Sequence, residues 1–205
     1  TTPGPVMVSV SMIGQVPDGM MVKRAGAQAG DKVFVTGTIG DSALGLSLRQ
    51  NPNIGATWNL TEEEHEFLRL RYLLPQPRNA LAETVRHYAS AAMDVSDGLA
   101  GDLAKLCRVS GVAADIEAAR VPLSDATRAV IAAEAAAFET ALTGGDDYEI
   151  LCTVPPGKVD RFRVAAMAAK VAVTEIGAIA AGEGAHFRDG EGHDLTFKRA
   201  AFSHF

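Results

Sequence analysis

The feature that most constrains the fold is a junction between a short apolar run and an amphipathic helix. The run spans residues 91–95, and Leu99, Leu103 and Leu106 then recur at i, i+4 and i+7. This spacing places the three leucines on one buried face of a helix. Apolar runs alternate with helical periodicity along the rest of the chain, so we predict an α/β or α+β fold with a mixed sheet flanked by helices.

Composition bounds the class of protein. The chain has 205 residues, of which 47% are hydrophobic and 21% are charged, as is usual for one large globular domain or one domain plus a piece of another. A net charge of -6 argues against a nucleic-acid partner, because such surfaces carry a basic excess. No apolar run approaches the ~20 residues of a membrane span, and the first residues lack a signal-peptide pattern. Cys107 and Cys152 lie in apolar stretches, which favours buried thiols in a reducing, cytoplasmic compartment.

The predicted elements follow from periodicity and from residues that start or stop helices. Alternating apolar and polar positions predict strands at residues 6–13, 32–36, 91–95, 112–117, 150–154 and 171–179, with short strands at 185–188 and 195–198 in a hairpin. Helices are predicted at residues 43–48, 62–74, 79–89, 99–110, 125–137 and 158–170. The expected caps are Asp41 or Ser42, the box Thr61–Glu64, Asn79 and Ser124.

The junction also carries candidate ligand-binding residues, since Asp94, Ser96 and Asp97 lie between the predicted strand and helix. A helix N-terminus attracts phosphate through its dipole and free N–H groups, whereas carboxylates at the same place repel it. A divalent cation between them resolves the conflict, since Mg²⁺ is commonly bound by one or two carboxylates plus substrate phosphates. The alternative is that Ser96 or Asp97 only caps the helix and that Asp94 is a solvated strand end.

A second acidic stretch, Gly144-Gly-Asp-Asp-Tyr-Glu149, precedes the predicted strand 150–154. Its glycines allow the backbone to approach a ligand closely, and crowding three acids into four residues requires a cation or hydrogen-bond donors nearby. The alternative is a solvated acidic turn. Because both acidic stretches lie at the ends of apolar strands, we expect them to line one edge of one sheet, where ligands of α/β proteins bind.

These motifs closely resemble the thiamine-monophosphate kinase family. The resemblance rests on Asp94-Val-Ser-Asp97-Gly-Leu and, about fifty residues on, Gly144-Gly-Asp-Asp-Tyr-Glu149. It continues in three further stretches and covers essentially the whole chain in order: Arg24-Ala-Gly-Ala-Gln-Ala-Gly-Asp31, Val35-Thr-Gly-Thr-Ile-Gly-Asp41 and Phe202-Ser-His-Phe205. The wider superfamily includes aminoimidazole ribonucleotide synthetase and selenophosphate synthetase.

The resemblance implies transfer of the γ-phosphoryl group of ATP to thiamine monophosphate, with Mg²⁺, to give thiamine diphosphate. By motif, Asp94 and Asp97 are Mg²⁺ ligands, and Arg24 and Ser96 contact ATP. Asp146, where the family often has Glu, and Phe202 contact the thiamine substrate. No side chain is required as a catalytic base, because the attacking phosphate oxygen is already ionised near neutral pH.

The resemblance also implies a division of the chain. Residues 1–27 are expected to be the last strand and connector of an N-terminal ATP-binding domain that also forms a homodimer, and residues 28–205 the C-terminal α/β domain. Little or no kinase activity is then expected of this stretch of chain alone. Two alternatives stay open: an ATP-dependent superfamily member with another acceptor, or a non-catalytic structural or dimerisation domain.

Overall fold

A computed structural model describes residues 4–198. Six strands form one sheet, and their bounds follow the predicted apolar runs closely: β1 Lys32–Thr36, β2 Ala91–Asp94, β3 Ala113–Glu117, β4 Ile150–Val154, β5 Val173–Ala180 and β6 Gly184–Arg188. The α-helices of the described chain are α1 Asp41–Gln50, α2 Ile54–Thr57, α3 Glu62–Leu73, α4 Ala82–Tyr88, α5 Leu99–Ser110, α6 Asp125–Ala133, α7 Ala137–Thr143 and α8 Val159–Ala168. None of these helices is long and apolar enough to cross a membrane.

The sheet is mixed, as predicted. Its strand order is β2-β4-β1-β5-β3-β6, and neighbouring strands are antiparallel except for β3 and β6, which are parallel. In the register of β2 and β4, Asp94 lies opposite Ile150. The end of β2 and the start of β4 therefore meet at one end of the sheet.

Helices cover both faces of the sheet. On one face, the predicted stripe Leu99, Leu103 and Leu106 of α5 is fully buried in the main core. On the other face, Phe34 and Cys152 pack against Phe162 of α8, because successive side chains of a strand point to opposite faces. Both cysteines are buried, free thiols, as predicted, and burial raises the pKa of Cys107 to about 11.

Two of the predicted helix starts are confirmed and two are wrong. Thr61 and Glu64 form the predicted capping box, and the Ser124 hydroxyl accepts a hydrogen bond from the Thr127 N–H. Neither Asp41 nor Ser42 caps α1, whose N-cap residue is Gly40. The Asp41 carboxylate instead accepts hydrogen bonds from the Ser124 and Thr127 hydroxyls, and the Ser42 hydroxyl donates to the Arg71 carbonyl. Asn79 begins a short 3₁₀ turn and makes no cap bond with its side chain.

The predicted strand at residues 6–13 is absent from the structure. These residues belong to no strand of the described chain, and their large apolar side chains, Val6, Met7, Val8, Val10, Met12 and Ile13, are 77–100% exposed. A strand is held by hydrogen bonds to a neighbour, and the sheet formed within residues 4–198 contains no strand that pairs with this segment. The division at residue 27 stays a prediction.

The predicted hairpin near the end of the described chain forms only in part. The Leu195 N–H donates to the Phe187 carbonyl and Arg188 and Asp194 form an isolated bridge, but residues 195–198 are not a strand.

Candidate functional site

The two acidic stretches are hydrogen-bonded to each other at the end of the sheet. We call residues 94–97 the first turn and residues 144–149 the second turn. The Val95 N–H donates to the Glu149 carbonyl at 2.8 Å, the Tyr148 N–H donates to the Val95 carbonyl at 2.8 Å, and the Asp146 N–H donates to the Ser96 carbonyl at 2.9 Å. The structure thus brings together two stretches that lie about fifty residues apart in the sequence, as the sequence predicted.

Glycines make this close approach possible. A Cβ atom on Gly98, whose φ is 109°, would lie 2.5 Å from the Thr143 carbonyl oxygen, and one on Gly145 would overlap the Ser96 carbonyl. Asp146 and Tyr148 have left-handed backbones, with φ of 70° and 51°. Such conformations are uncommon for non-glycine residues and cluster at functional sites.

The first turn presents its carboxylates outward. Asp94 is exposed and Asp97 is partly exposed. The predicted cap is wrong, since Gly98 occupies the N-cap position of α5 and the buried Asp102 carboxylate accepts hydrogen bonds from the Ser96 and Asp97 N–H groups, both at 2.9 Å. Reasoning from the sequence missed Asp102, because its polar side chain lies on the otherwise apolar face of the helix.

Lys105, one turn further along α5, forms ion pairs with both Asp97 and Asp102. Burial opposes its charge, but hydrogen bonds to Asp97 and Asp102 outweigh that effect and raise the pKa of Lys105. It is therefore a cation already in contact with one of the two expected metal ligands.

The second turn directs two of its acids inward. Asp147 accepts hydrogen bonds from the Gly40 N–H at 2.7 Å and the Ser42 N–H at 3.2 Å, so it satisfies the start of α1. Burial raises the pKa of this carboxyl from 3.8 to about 7, against the opposing effect of those two N–H groups. The idea of a solvated acidic turn is therefore wrong for this residue.

Glu149 is the centre of a buried ionic cluster. Its carboxylate accepts hydrogen bonds from the Thr36 hydroxyl at 2.6 Å and from the guanidinium groups of Arg71 at 2.9 Å and Arg78 at 2.5 and 2.7 Å. Arg71 is itself buried. Both arginines were missed by sequence reasoning; one available signal is that Arg71 follows Leu68 by three residues and so shares its buried face of α3.

Tyr148 belongs to the second turn, and its N–H is one of the groups that bind the first turn. Its phenol donates to the Asp146 carboxylate at 3.2 Å, and its pKa is raised by burial first, then by Asp146 and by the charges of Asp94 and Asp97. The charges of Asp94 and Asp97 in the first turn therefore act on the same phenol that Asp146 contacts. Within residues 4–198, however, no group of three or more His, Cys, Asp or Glu could hold a metal ion.

This donor set fits Mg²⁺ only when phosphate completes its coordination. Asp94 and Asp97 offer hard oxygen ligands at the end of β2, and Mg²⁺ is usually bound by one or two carboxylates together with substrate phosphates and water. A metal site formed by protein ligands alone would need more donors than this part of the chain supplies.

Two cavities flank the joined turns. A groove of about 660 Å³ is lined mostly by apolar residues, together with Arg78, Asn79 and Tyr148. A smaller cavity of about 190 Å³ is lined by Ser96, Gly145 and Asp146 together with residues of α1 and α7. The groove thus reaches Tyr148 of the second turn, and the smaller cavity lies next to Asp146.

Arg24 and Phe202 are the two remaining expected site residues. Arg24 is exposed in a segment that borders β2, where the Lys23 carbonyl accepts a hydrogen bond from the Ala92 N–H at 3.0 Å. Phe202 lies outside residues 4–198, so its predicted contact with substrate stays a prediction.

Comparison with known proteins identifies relatives along the whole chain. The family model described as AIR synthase related protein, C-terminal domain, matches residues 28–190. Curated thiamine-monophosphate kinases from Caulobacter vibrioides and Salmonella typhimurium are 39% and 38% identical; each alignment covers 100% of this chain and 56% or 62% of the relative. The chain thus spans little more than half the length of these relatives.

Solved structures show the same resemblance. Thiamine-monophosphate kinase from Stenotrophomonas maltophilia superposes with a TM-score of 0.77 at 40% identity, over 85% of this chain and 55% of that one. The structure described as AaThiL complexed with AMPPCP and TMP gives a TM-score of 0.73 at 34% identity, over 90% and 54%. The Escherichia coli hydrogenase maturation protein HypE, at 17% identity and a TM-score of 0.70 over 90% and 54%, shares the fold.

Proposed function

This chain belongs to the AIR synthase related protein family, C-terminal domain, and from that premise we propose that its full-length gene product uses ATP to phosphorylate thiamine monophosphate to thiamine diphosphate. The observation that carries the proposal is the hydrogen-bonded pair of acidic turns, in which Asp94, Asp97 and Asp146 stay accessible to solvent. Relatives of 38–39% identity that bear the name thiamine-monophosphate kinase support it, as does a similar structure described with AMPPCP and TMP.

In this proposal the first turn holds the nucleotide through a cation. Asp94 and Asp97 would bind Mg²⁺, which supplies positive charge against the phosphates of ATP and the acceptor. Phosphoryl transfer depends mainly on positioning and on neutralising charge. Ser96 would contact ATP, and Arg24 would bind phosphate oxygens with the forked geometry of its guanidinium group.

The second turn would position the acceptor. Asp146 is the acid of this turn that faces outward, beside the smaller cavity, and together with Phe202 it would contact thiamine monophosphate. A phosphate oxygen of that acceptor attacks in line and is already ionised near neutral pH, so the proposal requires no catalytic base.

The proposal extends to the organisation of the whole protein. Residues 1–27 would be the last strand and connector of an N-terminal ATP-binding domain, and the exposed apolar segment at residues 6–13 supports this, because it lacks a partner strand among the described residues. The full-length protein would be a cytoplasmic homodimer, and residues 1–205 alone would have little or no activity.

The test is phosphoryl transfer by the full-length gene product at saturating Mg²⁺. Replacing a metal-binding carboxylate, as in Asp94→Asn, is expected to lower the rate by at least about tenfold. The matched control is Asp115→Asn, a partly exposed acid of β3 that pairs with Arg188 and is expected to leave the rate unchanged. A rate for Asp94→Asn within about a factor of two of wild type would contradict the role as metal ligand.

The substrate is tested separately. Thermal unfolding of the full-length protein with Mg²⁺ and AMPPCP is measured with thiamine monophosphate and, in parallel, with aminoimidazole ribonucleotide precursors. We expect thiamine monophosphate to raise the unfolding temperature and the aminoimidazole compounds to leave it unchanged. Stabilisation by the other acceptor would indicate a different ATP-dependent enzyme, and the absence of any nucleotide binding would favour a non-catalytic domain.

A further inference from the structure

Asp102 is the group that fixes the conformation of the first turn. Its carboxylate is fully buried, and a single oxygen, Oδ2, accepts the hydrogen bonds from both the Ser96 and Asp97 N–H groups. The N-terminus of α5 begins immediately afterwards at Gly98, which makes no side-chain cap. Asp102 therefore ties the two residues that precede the N-cap to α5 from inside the helix, whereas a cap residue would accept N–H groups of the helix itself.

The second oxygen of Asp102 holds a cation. Oδ1 lies 2.9 Å from the Lys105 ammonium, which also pairs with Asp97. Asp102 is buried and Asp97 is 44% exposed, and the lysine side chain itself is 29% exposed. The ammonium therefore bridges a fixed internal carboxylate and an outward-facing one.

We propose that Asp102 is a positioning residue for the cation site of the first turn, and that Lys105 is an internal counter-ion that a divalent cation displaces from Asp97. The inference rests on the proposed function, because it takes Asp97 as a ligand of Mg²⁺. When the cation binds Asp97, Lys105 keeps its pairing with Asp102, so the buried carboxylate is never left without a positive partner.

This arrangement has two consequences that can be measured separately. Loss of Asp102 frees the two N–H groups of the first turn, which then exchange with solvent. Loss of the Lys105 charge removes both the competitor for Asp97 and the repulsion of an incoming cation, so Mg²⁺ binds more tightly.

The first experiment measures hydrogen exchange of individual amides by NMR. In Asp102→Ala, exchange of the Ser96 and Asp97 amides is expected to accelerate by at least about tenfold relative to the core strands. The matched control is Asp31→Asn. Asp31 is a buried acid just before β1, at the end of that strand away from Thr36 and the second turn, and it accepts hydrogen bonds from the Gln28 N–H and the Ser90 hydroxyl. This variant is expected to leave exchange of the Ser96 and Asp97 amides unchanged.

A conservative variant keeps the test decisive if Asp102→Ala does not fold. The side-chain oxygen of Asp102→Asn still accepts both N–H groups, so protection of the two amides is expected to be largely retained, while its amide nitrogen faces Lys105. The positioning role would be overturned if the Ser96 and Asp97 amides of Asp102→Ala exchanged as slowly as in wild type. It would also be overturned if these two amides of Asp102→Asn lost as much protection as they do in a globally destabilised variant.

The second experiment titrates Mg²⁺ into the full-length protein with AMPPCP and follows binding by calorimetry. Lys105→Met is expected to lower the Mg²⁺ concentration at half-maximal binding by about threefold or more. Arg108→Met, which removes an exposed cation one turn further along α5, controls for net charge. An unchanged or higher Mg²⁺ requirement in Lys105→Met would overturn the counter-ion role, whereas no Mg²⁺-dependent binding in wild type would overturn the proposed function and leave the exchange result standing.

Discussion

The two acidic turns have similar composition, but the first directs its acids outward, whereas the second directs two of its three acids inward. In the first turn Asp94 and Asp97 face outward, and the buried acid that supports them, Asp102, comes from the following helix. In the second turn Asp147 and Glu149 point inward and hold neighbouring elements together. The first turn therefore offers ligands, and the second turn chiefly anchors the site to the sheet and to α1 and α3.

This difference matters because exposed and buried carboxylates have different energetic roles. An exposed acid contributes little to stability and is free to bind a cation, whereas a buried acid is stable only while its hydrogen bonds and counter-charges are present. Substitutions of the buried acids should therefore lower the free energy of unfolding much more than substitutions of the exposed acids.

The largest expected loss of stability comes from the ionic cluster of the second turn. Glu149→Gln keeps the size of the side chain but removes the charged partner of Arg78 and leaves Arg71 with only Asp41, at 3.5 Å. Breaking a buried ion pair in this way costs about 3–5 kcal/mol, which urea unfolding would measure. A loss below about 1 kcal/mol would show that this cluster is not an anchor.

The next effect depends on pH and isolates Asp147. Burial raises the pKa of this carboxyl from 3.8 to about 7, so the folded protein retains a proton over a range in which the unfolded chain releases it. Its contribution to stability is fully present below about pH 4 and is lost as the pH rises toward 7.

The free energy of unfolding of wild type, measured against that of Asp147→Asn, is therefore expected to fall between about pH 4 and pH 7, by an amount on the order of a few kcal/mol. Subtracting the variant removes the titrations common to both proteins. A difference that stays constant or grows with pH would contradict the raised pKa.

A smaller effect probes the contact between the turns. In Gly145→Ala, the added methyl group meets the Ser96 carbonyl and must push the turns apart, at a cost of about 1–3 kcal/mol. Gly190→Ala is the control, since nothing lies within 4 Å of a Cβ atom there. Equal stability of the two variants would mean that the turns are not in contact.

The smallest effect on stability belongs to the outward acids. Asp94→Asn is expected to change the free energy of unfolding by no more than about 0.5 kcal/mol, because the side chain is exposed. Strong destabilisation would place Asp94 with the anchoring acids and remove the distinction between the two turns.

Local patterns predicted the parts of this fold that local interactions determine. The leucine stripe of α5 and the capping box at Thr61 and Glu64 were predicted because each is fixed by neighbours within two turns of helix. The convergence of the acidic turns was predicted from their positions at strand ends.

The parts that depend on partners distant in sequence were not predictable in the same way. Asp102 is a local exception: it is only five and six residues from Asp97 and Ser96, but its buried side chain turns back along the chain to accept their N–H groups. Asp147 and Glu149 could not be distinguished from Asp146 by sequence, since their orientation depends on α1 and α3. The parallel pairing of β6 with β3 similarly depends on the whole sheet.

The role of the first turn as a cation site is tested most directly by the effect of Mg²⁺ on AMPPCP binding to the full-length protein, measured for wild type and for the double variant Asp94→Asn/Asp97→Asn. Mg²⁺ is expected to strengthen binding to wild type by at least about tenfold and to the double variant by less than about twofold, with the free energy of unfolding nearly unchanged. Equal strengthening in both proteins would contradict the claim that the outward acids of the first turn hold the cation.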